Sequence, residues 1–204
     1  MNRHTPLRLL QILAYAMLLA GCTGLQAPRV ESTHTYLLDA RAPGQAMQTK
    51  RNLVLAVSMP RAHSGFDTSR MAYLRQPHEL EYFALNRWAD TPARMLEPLL
   101  VQALERNFRA VVQTPGAVAA NLRLDTELIR LQQDFSTRPS KVQLTMRVQL
   151  VDMTAKRVLA VKQFDETENA ASDDAYGGVI AANRALQRVL DQLSEFCISE
   201  SAGH

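Results

Sequence analysis

Between Leu122 and Phe164 apolar and polar residues alternate with a period of two. Val142, Leu144, Met146, Val148 and Leu150 are interleaved with Gln143, Thr145, Arg147 and Gln149. Leu122, Leu124 and Leu128 come before them, set against Arg123, Asp125 and Glu127, and the run from Arg157 to Phe164 comes after. Successive side chains of a strand point to opposite faces, so the pattern predicts three antiparallel strands in a meander, one face on a core and one in water. Asp152 to Lys156 forms the turn between the second and third strands. Upstream, residues 52–58 form an almost continuous apolar run stopped by Pro60, which predicts a central, well-covered strand. Residues 36–40 and 111–113 predict shorter strands, and residues 41–50 and 61–67 predict loops. Residues 71–75 and 80–84 predict a hairpin, its turn carrying Pro77 at the second position.

Two segments change to helical spacing. Leu96, Leu99, Leu100, Ala103 and Leu104 share one face. Thr91 is a capping residue, and Pro92 suits a first helical position, where its missing N–H costs nothing. Pro98 then implies either an offset first turn or a helix that starts only there. The second segment follows the capping run Ser172-Asp173-Asp174, with Val179, Asn183, Leu186, Val189, Leu190, Leu193, Phe196 and Cys197 recurring every three to four residues. Two amphipathic helices cover one face of one sheet. The predicted fold is therefore α+β, a mixed, largely antiparallel sheet with both helices on one face.

The N-terminus departs from this pattern. Arg3 and Arg8 precede an apolar run from Leu9 to Leu19, broken only by Gln11, and then Leu19-Ala20-Gly21-Cys22. A basic start, a short apolar stretch and small residues make a secretory signal; the stretch is too short for a membrane span, which needs about 20 apolar residues. Leu19, Ala20, Gly21 and Cys22 resemble the lipobox of bacterial lipoproteins. The resemblance implies cleavage before Cys22 and acylation of its thiol and new amino terminus. Thr23 stands where an Asp would favour inner-membrane retention, so it points to the outer membrane, facing the periplasm. The organisation read from the sequence is a signal over residues 1–21, a lipidated N-terminus and tether over 22–35, a domain over 36–198 and a tail over 199–204. A thirteen-residue tether spans roughly 20 Å on average.

This division reinterprets the charge. The 204 residues carry a formal net charge of +3, but the signal takes away two arginines and no acid, leaving +1. No basic block with interleaved aromatics remains, so a nucleic-acid partner is not expected. A content of 47% hydrophobic and 21% charged residues is that of a folded domain.

Catalytic patterns are missing. The histidines at 4, 34, 63, 78 and 204 form no i, i+4 ligand pair, and no metal or other cofactor is expected. Gly177-Gly178 opens a helix but lacks the following Lys-Ser/Thr of a phosphate loop; close packing explains it better. Asp165 and Glu166 read as part of a solvated face. Cys197 has the spacing of a buried core thiol. An enzyme is not expected.

One segment is specific without being catalytic. Arg87 and Trp88, the latter the only tryptophan, lie between a strand and a helix. Trp88 reads either as a corner plug or, with Arg87, as an anchor for a partner, since both residue types are common in binding hot spots. Arg70-Met71-Ala72-Tyr73 and Arg87-Trp88-Ala89, in this order after a lipobox and an early Tyr36-Leu37-Leu38, resemble the auxiliary lipoproteins of ABC-type transporters, the PqiC-like partners of MCE (mammalian cell entry) proteins. The resemblance runs from about Tyr36 to Phe196. It implies a non-enzymatic protein, held in the outer membrane by acyl chains on Cys22, that docks a periplasmic MCE assembly for lipid transport between membranes. A lipoprotein regulator of a cell-wall synthase is the alternative from another class, and a small hydrolase a third.

Overall fold

A strand of thirteen residues, Leu122–Asp134, organises the sheet, and its own residues explain how. Leu122, Leu124, Thr126 and Leu128 are buried, all at even positions; beyond Ile129 the buried residues are Leu131, Gln132 and Gln133, so the apolar one is now at an odd position. The ladder to the next strand slips by one residue between Leu128 and Arg130. A bulge inserts one residue, so it moves every later side chain to the other face. Without it Leu131 would point into water.

The structure, a computed structural model, describes residues 31–40, 50–114 and 119–203. The predicted signal, Leu19, Ala20, Gly21 and Cys22 lie outside them, as do most of the tether and of the 41–50 loop. In chain order the elements are β1 (His34–Tyr36), β2 (Arg51–Val57), β3 (Arg61–Ala62), β4 (Arg70–Leu74), β5 (Leu80–Trp88), α1 (Pro92–Glu105), β6 (Phe108–Gln113), β7 (Leu122–Asp134), β8 (Lys141–Asp152), β9 (Arg157–Asn169) and α2 (Ala175–Glu200).

The meander is present as predicted, with β7–β8 and β8–β9 antiparallel along nearly their full lengths. These are the two longest ladders, so the mixed sheet is mostly antiparallel. The other edge of β7 carries three short strands end to end, all parallel to it. β2 pairs near Leu122–Leu124, β3 at Glu127 and Leu128, and β4 near Gln132–Asp134. β6 extends the sheet from β2, while β5 and then β1 extend it from β4. Two expectations are corrected here. Residues 61–67 are not all loop, because β3 lies within them, and the first strand is β1 at His34–Tyr36 rather than residues 36–40.

The helix α2 packs on β8 and β9, α1 packs on β6 and β2, and the two helices touch, so both cover the same face. Ser194 of α2 donates to the Ala103 carbonyl of α1 at 3.3 Å. Pro98 lies inside α1, which runs through it from Pro92; of the two sequence readings neither holds. Its ring is on the exposed side, where water can satisfy the carbonyl that the missing N–H frees. Thr91 holds the N-cap position with no hydrogen bond from its side chain. At α2 the cap is made, with Asp174 Oδ1 accepting from Gly177 N at 2.7 Å.

The glycines after that cap are there for space. A Cβ on Gly177 would sit 2.2 Å from the Ser172 carbonyl oxygen, and one on Gly178 would sit 2.1 Å from Oε1 of buried Gln133. Gln133 reaches across from β7, donating to Ser140 Oγ and to the Asp174 carbonyl. Close packing, not anion binding, accounts for the pair.

Candidate functional site

β5 ends on Trp88, and the corner it makes is built from backbone. Trp88 N donates to the Ser69 carbonyl and Ala89 N to the Tyr36 carbonyl, each at 2.8 Å. This stitches β4, β5 and β1 together where the chain turns into α1. The indole points inward and is 4% exposed, against Met71, Leu131, Val142 and Ala182. In this fold Trp88 is thus a corner plug, and the reading of its ring as a surface anchor is corrected. Arg87 is exposed and sits opposite Arg70 and Thr35 in the ladders. Arg70 stacks over the Tyr82 ring at 4.0 Å. No carboxylate among the described residues forms an ion pair with Arg87. It remains an available cation on a polar face.

The outer face of β7 holds a polar cluster. Ser58 Oγ donates to Asp125 Oδ1 at 2.7 Å, and Arg123 makes a forked contact with the same carboxylate at 2.8–3.2 Å. His63 Nε2 lies 3.1 Å from Glu127 Oε1, and Arg147 3.5 Å from Glu127 Oε2. The only hydroxyl bonded here gives its proton to a carboxylate already committed to Arg123, so the cluster lacks a nucleophile paired with a free base. Its task is to fasten residues 58–63 to β7. Partial burial works against ionisation of Asp125, but the bonds from Arg123 and Ser58 outweigh it and hold the carboxyl below its ordinary value.

That shift has a sign. A carboxyl whose folded-state pKa is depressed stabilises the fold fully above its unfolded pKa, and the contribution disappears as pH falls through the folded one. Asp125→Asn is therefore expected to cost up to about 1 kcal/mol at neutral pH, a figure kept small by partial exposure. The gap to wild type in urea midpoint should shrink below the ordinary value of 3.8 and close at still lower pH. A gap independent of pH would mean that shape, not charge, holds the loop.

Asp165 and Glu166 are neighbours in sequence only. Asp165 accepts from Thr145 on the outer face, whereas Glu166 faces α2, where Arg188 Nε meets it at 2.7 Å and Gln192 Nε2 at 2.6 Å. Arg188 also reaches Glu168 at 2.8 Å. These acids anchor α2 to β9. They sit in mid-strand rather than near a turn, and the alternation of the strand separates them.

Cys197 is fully buried under the helices, and burial pushes its thiol up to about 12. We expect it to resist an aromatic disulfide reagent in the folded Cys22→Ala protein and to react at once in denaturant. Rapid reaction of the folded protein would contradict the packing. Among the described residues no group of three or more His, Cys, Asp or Glu is placed to hold a metal, and no helix is long and apolar enough to cross a membrane.

The remaining surface features are patches. Leu37 and Tyr176 are each 60% exposed, and the ring of Tyr36, next to Leu37 in the chain, lies 6.2 Å from that of Tyr176. An open groove of about 750 Å³ runs beside them, lined by Asp39, Tyr176, Ile180, Asn183 and Arg184. Met153, Val158 and Val161 are exposed around the β8–β9 turn. Sequence reasoning overlooked the Tyr36–Tyr176 pair. The alternation of exposed Leu37 with buried Leu38 was visible, but the meeting of Tyr36 with a residue 140 positions away was not.

The family model described as ABC-type transport auxiliary lipoprotein component matches residues 36–194. Among solved structures, a Xanthomonas campestris protein of the DUF330 family model superposes with a TM-score of 0.72 at 21% identity, covering 81% of this chain and 95% of its own. An uncharacterized protein gives 0.66 at 12% identity, with 82% and 99% covered. A hypothetical protein of Chlamydia trachomatis gives 0.51 at 8% identity, with 75% and 99% covered. At these identities the likeness is one of fold. No curated protein matches the chain.

Proposed function

Because the chain belongs to the family of ABC-type transport auxiliary lipoprotein components, we propose that it is a non-enzymatic outer-membrane lipoprotein that docks the periplasmic MCE assembly of such a transporter to the outer membrane, serving lipid transport between the two membranes. The observation that carries this reading is the family match over residues 36–194, which follows the lipobox-like run Leu19–Cys22 after a short segment. Residues 1–21 act as the signal, Cys22 carries the acyl chains, and residues 36–198 form the docking domain. Tethering supports the role physically, because it raises the local concentration of the domain's contact surface beside the membrane. Arg87 is the residue we assign to partner contact, being exposed on the polar face with no carboxylate of its own.

The test is cross-linking in intact cells followed by affinity capture of the full-length protein. An MCE-domain protein should be recovered with wild type, and its yield should fall several-fold with Arg87→Glu while the amount of folded protein stays the same. Capture of wild type without any MCE-domain protein would overturn the docking role. Unchanged capture by Arg87→Glu would remove only the assignment of that residue.

A further inference from the structure

The two exposed apolar clusters stand at opposite ends of the meander. Asp174 and the start of α2 are bonded to Gln133 and, through Asp173, to Ser140, which places Tyr176 at the end where β7 stops and β8 begins. Met153 lies in the turn at the other end, between β8 and β9. At about 3.3 Å per residue, the thirteen residues of β9 separate the two ends by roughly 40 Å.

The first cluster is built rather than incidental. Asn183 of α2 accepts from Asp39 N at 2.7 Å and donates to the Leu37 carbonyl at 3.2 Å, so the backbone on both sides of Leu38 is fixed to the helix. Leu38 points into the core, and the clamp holds Leu37 outward. Tyr36 lies between His34 and Tyr176, with its hydroxyl donating to Asn86 at 3.2 Å. The Tyr36 ring of β1 and the Tyr176 ring of α2 thus stand together, with exposed Leu37 next in the chain.

We propose that Leu37, Tyr36 and Tyr176 form a seat on the phospholipid surface of the membrane that holds the anchor, so that this end of the domain faces the bilayer and the β8–β9 turn faces away from it. The proposal rests on the reading of Cys22 as lipidated. Its main support is covalent. His34 is only twelve positions after Cys22, at most about 40 Å even if fully extended and roughly 20 Å for a tether. Of the two apolar clusters this is the one the anchor brings to the membrane. The chemistry agrees, because tyrosine places an apolar ring and a polar tip at the level of lipid headgroups. The charges of the groove beside Tyr176 are mixed: Asp39 stands with Arg184 and Arg188, and both arginines are paired with acids of β9. With no unpaired cationic cluster among the described residues, the contact is apolar and insensitive to salt.

Leu37→Cys and Val161→Cys in the full-length protein, each labelled with a fluorophore, provide the test. Cys197 is buried, and an acylated Cys22 has no free thiol. The labelled proteins are reconstituted into vesicles of phosphatidylethanolamine and phosphatidylglycerol carrying a nitroxide-labelled lipid. Quenching should be several-fold stronger at position 37 than at 161, unchanged by added salt, and reduced by Tyr176→Ser with the far-ultraviolet spectrum intact. Equal quenching, or more at 161, would overturn the seat. So would a cluster that instead drives dimerisation in solution, lost on Tyr176→Ser. If the unlabelled protein is recovered soluble and without acyl chains, the anchor reading fails by itself. Flotation of that soluble chain with the same vesicles, abolished by a Leu37→Ser/Tyr176→Ser double substitution, would still support the seat, and no flotation would overturn it.

Discussion

Replacing Cys22 with alanine is expected to abolish incorporation of labelled fatty acid and to remove the protein from the outer-membrane fraction. Alanine has no sulfur to form the thioether, and each buried methylene of an acyl chain contributes about 0.8 kcal/mol to membrane binding. One chain gives reversible attachment, whereas several on one residue hold firmly, so losing the site is expected to cost at least about tenfold in the membrane-bound fraction. The apolar seat alone holds the chain only weakly, enough for flotation on excess vesicles but not for retention in the outer-membrane fraction. Density fractionation with mass spectrometry of the N-terminal peptide checks the result, because it separates processed chain from a precursor still held by residues 1–21. A variant that stays acylated in the outer membrane would place the lipid elsewhere.

Trp88→Ala should have the largest effect on folding. The indole is 4% exposed and fills the junction of β4, β5, β7, β8 and α2. Removing a buried tryptophan side chain typically costs about 3–5 kcal/mol through lost burial and the cavity left behind. Against a stability of about 5–15 kcal/mol that is a large share. Urea unfolding followed by far-ultraviolet circular dichroism should show the midpoint fall sharply, with Trp88→Phe between. Arg87→Ala, one residue earlier on the exposed face, should change stability by less than about 0.5 kcal/mol. Equal effects at positions 87 and 88 would contradict the inward orientation of the indole.

That contrast shows what the sequence could and could not reveal. Both Trp88 and Arg87 stood out as candidate contacts from residue type alone. Their separation into plug and surface follows from the alternation of β5, which the sequence reading ended at Ala84, four residues short of Trp88. The period-two pattern of 142–150 was unambiguous because β8 has neighbours on both edges and its apolar set never changes face. β7 was harder, since its bulge switches the buried apolar residues from even to odd positions within one strand. The switch from Leu128 to Leu131 is written in the residues, but it is recognised as a bulge only when β8 is laid beside it.

By itself, the sequence determined the meander, the two amphipathic helices and the core thiol. Each is a local pattern, set by the geometry of one strand or helix or by contiguous residues. Only the tertiary structure decided that β7 carries β2, β3 and β4 in parallel along one edge, that Gly178 leaves room for Gln133, and that Tyr36 meets Tyr176. These arrangements join residues tens of positions apart, and the energy that selects them comes from burial and hydrogen bonds across the chain, which no local periodicity records.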